Sequence, residues 1–148
     1  MPAFALVPHL IVSNGPEALA FYKQAFGAVE AYPPNLTPDG RLLHAEMRIG
    51  DAMFYVCEDF TDAQNRTPQA LGGTPVTLNL TVDDADAVFE QAVKAGATVT
   101  MPMQDTFWGS RYGKVTDPSG HDWAINQHVR EVSPEEFKKG AEDFCEND

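Results

Sequence analysis

Cysteine is almost missing from this chain: Cys57 and Cys145 are its only two in 148 residues. Two thiols in unlike surroundings cannot build a disulfide framework, and such a composition fits a reducing compartment, the cytoplasm. Positive charge is scarce as well. Ten Lys and Arg stand against 22 Asp and Glu, a formal net charge of −12, and a field of that sign repels phosphate backbones and anionic lipid while it draws in cations. Nucleic acid and membrane surfaces are therefore not expected as partners. No apolar run approaches the roughly 20 residues of a bilayer span, and the opening MPAFALVPHLIVS has no basic stretch ahead of its apolar residues, so neither an anchor nor a secretory leader is expected. The spacings of a P-loop, a nucleophile elbow and a dinucleotide fingerprint are missing too, since Gly72-Gly73 and Gly109 lack the required neighbours.

What the chain does contain is an internal repeat. The first copy covers about residues 4–58: an apolar strand from Ala5 to Ser13, the turn Asn14-Gly15-Pro16 that caps a helix, and Ala18, Leu19, Tyr22, Ala25 and Phe26 at helical spacing up to the stop Gly27. Arg41 to Ile49 and Ala52 to Cys57 then form a hairpin about Gly50-Asp51. The second copy, about residues 75–128, repeats the order with a strand Val76 to Val82, a helix Ala85 to Ala95 capped by Asp83 or Asp84, and strands near Ala97 to Met101, Lys114 to Thr116 and Asp122 to His128. Setting Gly120 of the turn Asp117-Pro118-Ser119-Gly120 on Gly50 gives an offset of 70 residues and places Thr77 opposite Val7. A polar linker (59–74) joins the copies. Ser133-Pro134-Glu135-Glu136 opens a last helix, about 134–145, with Phe137, Ala141 and Phe144 on one face. The expected fold is α+β: two tandem βαβββ modules forming a curved mixed sheet with a concave cavity, plus a C-terminal helix.

Strand alternation assigns the faces. Leu78, Leu80 and Val82 turn to the helix, which leaves Thr77, Asn79 and Thr81 for the cavity. The repeat adds Val7, His9 and Ile11, then Ala52, Phe54 and Val56, and then Asp122, Ala124 and Asn126. On the long strand Leu43, Ala45, Met47 and Ile49 face the helix, and Leu42, His44, Glu46 and Arg48 share the cavity side. His44 and Glu46 are thereby candidates for a general base or for ligands. With His9 they offer two imidazoles and a carboxylate to a divalent ion, or they pair with each other or with Arg48 on a wet surface. In Phe107-Trp108-Gly109-Ser110-Arg111-Tyr112, Trp108 and Tyr112 offer stacking surfaces. Arg111 either forks onto a ligand carboxylate or phosphate or pairs with an acidic neighbour such as Asp117. Phe107, Tyr55 and Trp123 read as core, His121 as solvent-facing, and Cys57 as an unreactive thiol.

The strings EALAFYKQAFG (Glu17 to Gly27), HAEMRIGD (His44 to Asp51), GGTPVTLNLTVDD (Gly72 to Asp84) and MPMQDTFWGSRYGKVTDPSGHDWAI (Met101 to Ile125), in this order and spacing, resemble the vicinal oxygen chelate superfamily of glyoxalase I, extradiol dioxygenases and bleomycin-resistance proteins, and within it the PhnB-like branch. The resemblance implies an eight-stranded arrangement, usually dimeric, with a concave site for a small organic molecule. It implies metal ligands at the cavity-facing centres of the first and last strand of each module, which here are Val7, Phe54, Thr77 and Ala124. Three of these have no donor atom and a threonine hydroxyl is a poor ligand, so no metal cofactor is expected at the usual positions. The expected function is binding of a small organic compound, such as sequestration of a cationic aromatic one, by His9, Phe54, Thr77, Asn79, Trp108, Arg111, Tyr112 and Asn126. The alternative is a lyase or isomerase, with or without a metal, in which His44 or Glu46 acts.

Overall fold

A computed structural model describes residues 4–60 and 64–148; residues 61–63 of the expected linker lie outside it. The first module begins with strand β1 (His9–Val12) and helix α1 (Gly15–Phe26). Asn14 caps α1 by accepting from the Glu17 amide at 3.1 Å, and Gly27 ends it at φ 66°, a left-handed conformation that glycine takes without a Cβ clash. Two short strands, β2 (Val29–Glu30) and β3 (Asn35–Leu36), precede the hairpin of β4 (Leu42–Ile49) and β5 (Ala52–Glu58). A one-turn helix α2 (Pro68–Leu71) then leads to the second module: β6 (Thr77–Thr81), α3 (Ala85–Ala95), β7 (Thr98–Asp105), β8 (Ser110–Thr116) and β9 (Asp122–His128), followed by α4 (Pro134–Glu146). No helix is long and apolar enough to cross a membrane among the described residues.

The α+β architecture of two βαβββ modules with a C-terminal helix is as expected, and its strands form two mixed sheets, one per module, with no backbone ladder between them among the described residues. Their orders are β1-β5-β4-β2, with β3 also on β4, and β6-β9-β8-β7; β1 with β5 and β6 with β9 run parallel. The reason lies at the edge of β1 that would have met β6. There the Ile11 carbonyl lies 2.7 Å from His121 Nε2 and the Ser13 amide donates to Ser119 Oγ at 3.2 Å, so side chains from the β8–β9 turn satisfy the edge that a backbone ladder would have used. His121 is therefore a bridge between modules, not the solvent-facing residue expected.

Helices α1 and α3 pack on each other, and Gln91 Nε2 donates to the Gln24 carbonyl at 2.7 Å between them. Beneath them lies one continuous core in which Phe26 and Trp123 stand 4.7 Å apart by ring centroid, and Tyr22 and Phe54 5.2 Å. At its centre is a buried carboxylate. Asp117 Oδ2 accepts from Tyr22 Oη at 2.6 Å and from Trp123 Nε1 at 3.0 Å, and Oδ1 accepts the amides of Ser119 and His121. Burial, followed by the adjacent carboxylate, pushes the Tyr22 phenol well above its ordinary value, so it stays a donor.

Helix α4 is held differently. None of its residues is buried, and it rests on Phe107, whose ring stands 5.4 Å from that of Phe137 and 6.1 Å from that of Phe144. Gly140 makes this approach possible, because a Cβ there would come within 2.6 Å of the Phe107 Cβ.

Two outcomes follow from these contacts. Asp117→Ala, which strands two buried donors and two turn amides, should cost about 3–5 kcal/mol in urea unfolding, against about 1–2 kcal/mol for Tyr22→Phe. Gly140→Ala gains about 1 kcal/mol of helix propensity yet collides with Phe107. Faster limited proteolysis between residues 129 and 133, with helical circular dichroism unchanged, is the expected result; an unaltered cleavage rate would mean that Phe107 yields instead.

Candidate functional site

Each sheet keeps one face for the helices and leaves the other open. On the first sheet the ladder pairs His9 with Tyr55 and Glu46 with Tyr55, so the open face carries His9, Ile11, His44, Glu46, Arg48, Met53 and Tyr55. Ala52, Phe54 and Val56 lie on the opposite side, against the expected alternation, with Val56 buried, Ala52 exposed, and Ala52 and Phe54 reaching a cleft between the sheets. Phe54 is 4% exposed and packs on Tyr22 and Trp123. The ladder shows where the offset fails: with His9 opposite Asn79, their partners Tyr55 and Ala124 are 124 − 55 = 69 residues apart, one fewer than the offset of 70 set on the turn glycines. Asn79 pairs with Ala124, and its repeat equivalent His9 pairs with Tyr55, which makes Tyr55, not Phe54, the counterpart of Ala124. A second shift occurs on β4. A register irregularity opposite β3 breaks the alternation, so Leu42 is fully buried and Leu43 is 50% exposed, the reverse of expectation.

The first open face gathers three rings. His9 stands 6.0 Å from both His44 and Tyr55 by centroid, each edge to face, and His44 is 5.0 Å from Tyr55. His44 Nε2 lies 3.6 Å from Glu46 Oε1. Partial desolvation, and then the charge of His44, hold the His9 imidazole below its ordinary value and therefore neutral at pH 7. Although His9, His44 and Glu46 share this face, no three His, Cys, Asp or Glu side chains are grouped to hold a metal ion among the described residues.

On the second sheet the open face carries Thr77, Asn79, Thr81, Tyr112, Lys114, Ala124 and Asn126, with Tyr112 directly beside Asn126 and Lys114 beside Ala124. Trp108, 41% exposed, meets Tyr112 edge to face at 5.9 Å. Arg111 is not among them. It lies on the helix side, where its guanidinium meets Asp86 at 3.1 Å and Asp105 at 3.3 Å; its carboxylate partners are thus these two, and Asp117 is engaged in the core. Between the sheets, where residues 5–8 and β6 stand apart, runs an apolar cleft of about 730 Å³. Val7, Met53, Thr77, Asn79 and Leu80 line it together with the largely buried rings of Phe54 and Trp123.

The positions at which the resemblance implies a metal do not suit one. Val7 and Ala124 offer no donor, and the corrected alignment adds only a phenol at Tyr55 to the hydroxyl of Thr77. Sequence reasoning missed Tyr55, Met53 and Lys114 as open-face residues. No sequence signal marks the one-residue change of offset that hid the first two, and the length of β8 held the signal for the third.

The family profile of the Glyoxalase/Bleomycin resistance protein/Dioxygenase superfamily matches residues 4–125. The uncharacterized protein Rv0887c of Mycobacterium tuberculosis (strain H37Rv) is 46% identical over 138 residues, 90% of this chain and 80% of that protein. The crystal structure of the Arabidopsis thaliana At5g48480 product is 29% identical with a TM-score of 0.65, covering 86% of this chain and 99% of the other. The fosfomycin resistance protein FosX of Listeria monocytogenes, 17% identical, shares the fold with a TM-score of 0.64 over 93% of this chain and 99% of its own. With these matches across nearly all of both modules, the chain belongs to the glyoxalase/bleomycin resistance protein/dioxygenase superfamily.

Proposed function

We propose that this protein, a cytoplasmic homodimer of the PhnB-like branch, binds a small flat organic molecule against its open sheet faces, and that it does so without a metal at the usual positions. The observation that carries this reading is the ring cluster of His9, His44 and Tyr55 on a face that no helix covers, next to an apolar cleft. Stacking surfaces with a few polar groups suit an aromatic ligand. Thr77, Asn79, Tyr112, Trp108 and Asn126 supply the polar and aromatic wall from the second sheet. The −12 charge and the Glu46 carboxylate beside the rings favour a cationic compound. Phe4 and Leu6, both 98% exposed, and the half-open face of α4 are the apolar surface that a second copy would cover.

One observation favours a second reading. A neutral imidazole at His9, facing a histidine that is itself close to a carboxylate, has the composition of an acid–base site, so a lyase or isomerase acting through His44 or Glu46 is the alternative.

A thermal-shift series with cationic aromatic compounds tests the first reading. A ligand at 100 times its dissociation constant should stabilise the protein by about 2.7 kcal/mol, and Tyr55→Ala should remove the shift without lowering the unliganded melting temperature by more than a few degrees. Recovery of the compound unchanged supports binding alone. Conversion that disappears in His44→Gln while affinity persists would establish the second reading. The imidazole itself is checked by NMR: the His9 ring should titrate below the ordinary histidine value and move upward in His44→Gln. Because the folded-state value is lowered, the associated stability is complete above the unfolded value near 6.5 and is lost as pH falls below it.

A further inference from the structure

The charge inventory separates one cation from the rest. Six of the ten basic residues have a carboxylate within 4.0 Å: Lys23, Arg41, Arg66, Lys94, Arg111 and Arg130. Arg48 is exposed on its strand, and Lys138 and Lys139 are exposed on α4. Lys114 alone is partly buried on a sheet face and has no such partner among the described residues. Its stem starts opposite Ala124 and crosses β9, so that Nζ reaches Thr77 Oγ1 on β6 at 3.4 Å. Ala124, with no bulk of its own, is fully buried under this arrangement. A lysine that lays its methylenes over a small residue and stops on a hydroxyl presents its ammonium at a fixed place. Three uncharged hydrogen-bonding side chains, Asn79, Asn126 and Tyr112, share that face. Asp122 is the one carboxylate beside Thr77 in the ladder. It is turned to Thr116, whose hydroxyl donates to Asp122 Oδ1 at 2.7 Å, and it lies beyond ion-pair distance of Lys114.

We propose that the open face of the second sheet is an oxyanion site, in which Lys114 supplies the charge and Thr77, Asn79 and Asn126 the hydrogen bonds, for a carboxylate or phosphate group. Two of the positions at which the resemblance implies a metal, Thr77 and Ala124, are here the end point and the floor of the lysine's path. A single charge on a flexible stem binds and orients an anion, whereas the forked geometry of arginine would have fixed its plane. This inference goes beyond the ligand reading above and does not require it: Thr77, Asn79 and Asn126 belong to both, but the charge that defines the oxyanion site is Lys114, which the stacking cluster of the first sheet does not use.

The test is a titration of the full chain with inorganic phosphate, and separately with benzoate, followed by amide and side-chain NMR shifts at constant ionic strength with chloride as balance. Saturable shifts centred on Thr77, Asn79, Lys114 and Asn126 are expected. Lys114→Met should weaken both anions about tenfold, the worth of one charge-assisted contact, and Asp122→Asn should tighten them, since it removes the competing carboxylate while keeping an acceptor for Thr116. Lys139→Met should change nothing. Saturation by phosphate that survives Lys114→Met within twofold, or shifts that never saturate in the wild-type protein, would overturn the proposal. A positive phosphate arm with a negative series of cationic aromatics would reject the stacking reading and leave the oxyanion site in place; the opposite pair of results would do the reverse. Benzoate binding without phosphate binding would place the anion on an organic ligand, and equal binding of both would assign the site to oxyanions in general.

Discussion

A buried carboxylate with four donors holds the two halves of this molecule in register. Asp117 belongs to the turn of the second module, yet the shortest of its bonds comes from Tyr22 on the helix of the first. A lone charge in such a place would be expensive, and here every lone-pair direction is met by a phenol, an indole or a backbone amide. The same residue therefore shapes its own turn and clamps the opposite helix. Without that clamp the aromatic group of Tyr22, Phe26, Phe54 and Trp123 would have no reason to settle into one arrangement.

The clamp has a geometric consequence. Because the turn it organises projects Ser119 and His121 toward β1, the edge of β1 is satisfied by side chains, and the backbone of β6 is left standing off. The cleft between the modules follows from this separation. A continuous ladder from β1 to β6 would have closed it and sealed Val7, Thr77 and Asn79 against one another. The cleft thus depends on polar bonds in the core, one of them donated by Trp123, which also lines it.

Much of the fold was legible in the sequence, for physical reasons that differ from element to element. The helices announce themselves by caps that act locally: Asn14, Asp84 and Ser133 each accept an amide three residues on. The β4–β5 hairpin is marked by its two-residue turn. What the sequence conceals is register. Alternation tells which residues share a face only while the count runs unbroken, and here it fails twice, between the first and last strands of the modules, where the repeat offset drops by one, and at the irregularity opposite β3. The first failure exchanged Phe54 for Tyr55 at the heart of the site, and the second exchanged Leu42 for Leu43. Arg111 was hidden for a different reason. Its fork suits a ligand carboxylate and a protein carboxylate equally, and only the placement of the first turn of α3 decides for Asp86.

The distribution of charge completes the picture. In a chain with more than twice as many acids as bases, a cation without a partner is costly to keep out of reach of every carboxylate, since any nearby Asp or Glu would lower the energy by pairing with it. Most of the basic residues here do pair, at the surface, where such bonds contribute little to stability. Lys114 is withheld by geometry: its strand position points it away from the helices, where the acidic first turn of α3 lies, and across an alanine toward a hydroxyl. Asp122, the acid best placed to reach it, is occupied by Thr116. Two independent placements, a strand face and a competing hydrogen bond, thus keep one positive charge available on a face whose ladder carboxylate, Asp122, is bonded to Thr116. The opposite sheet places Glu46 beside His44, with Arg48 next on the same face, so the two open faces differ in the groups they offer even though they arise from the same repeated unit.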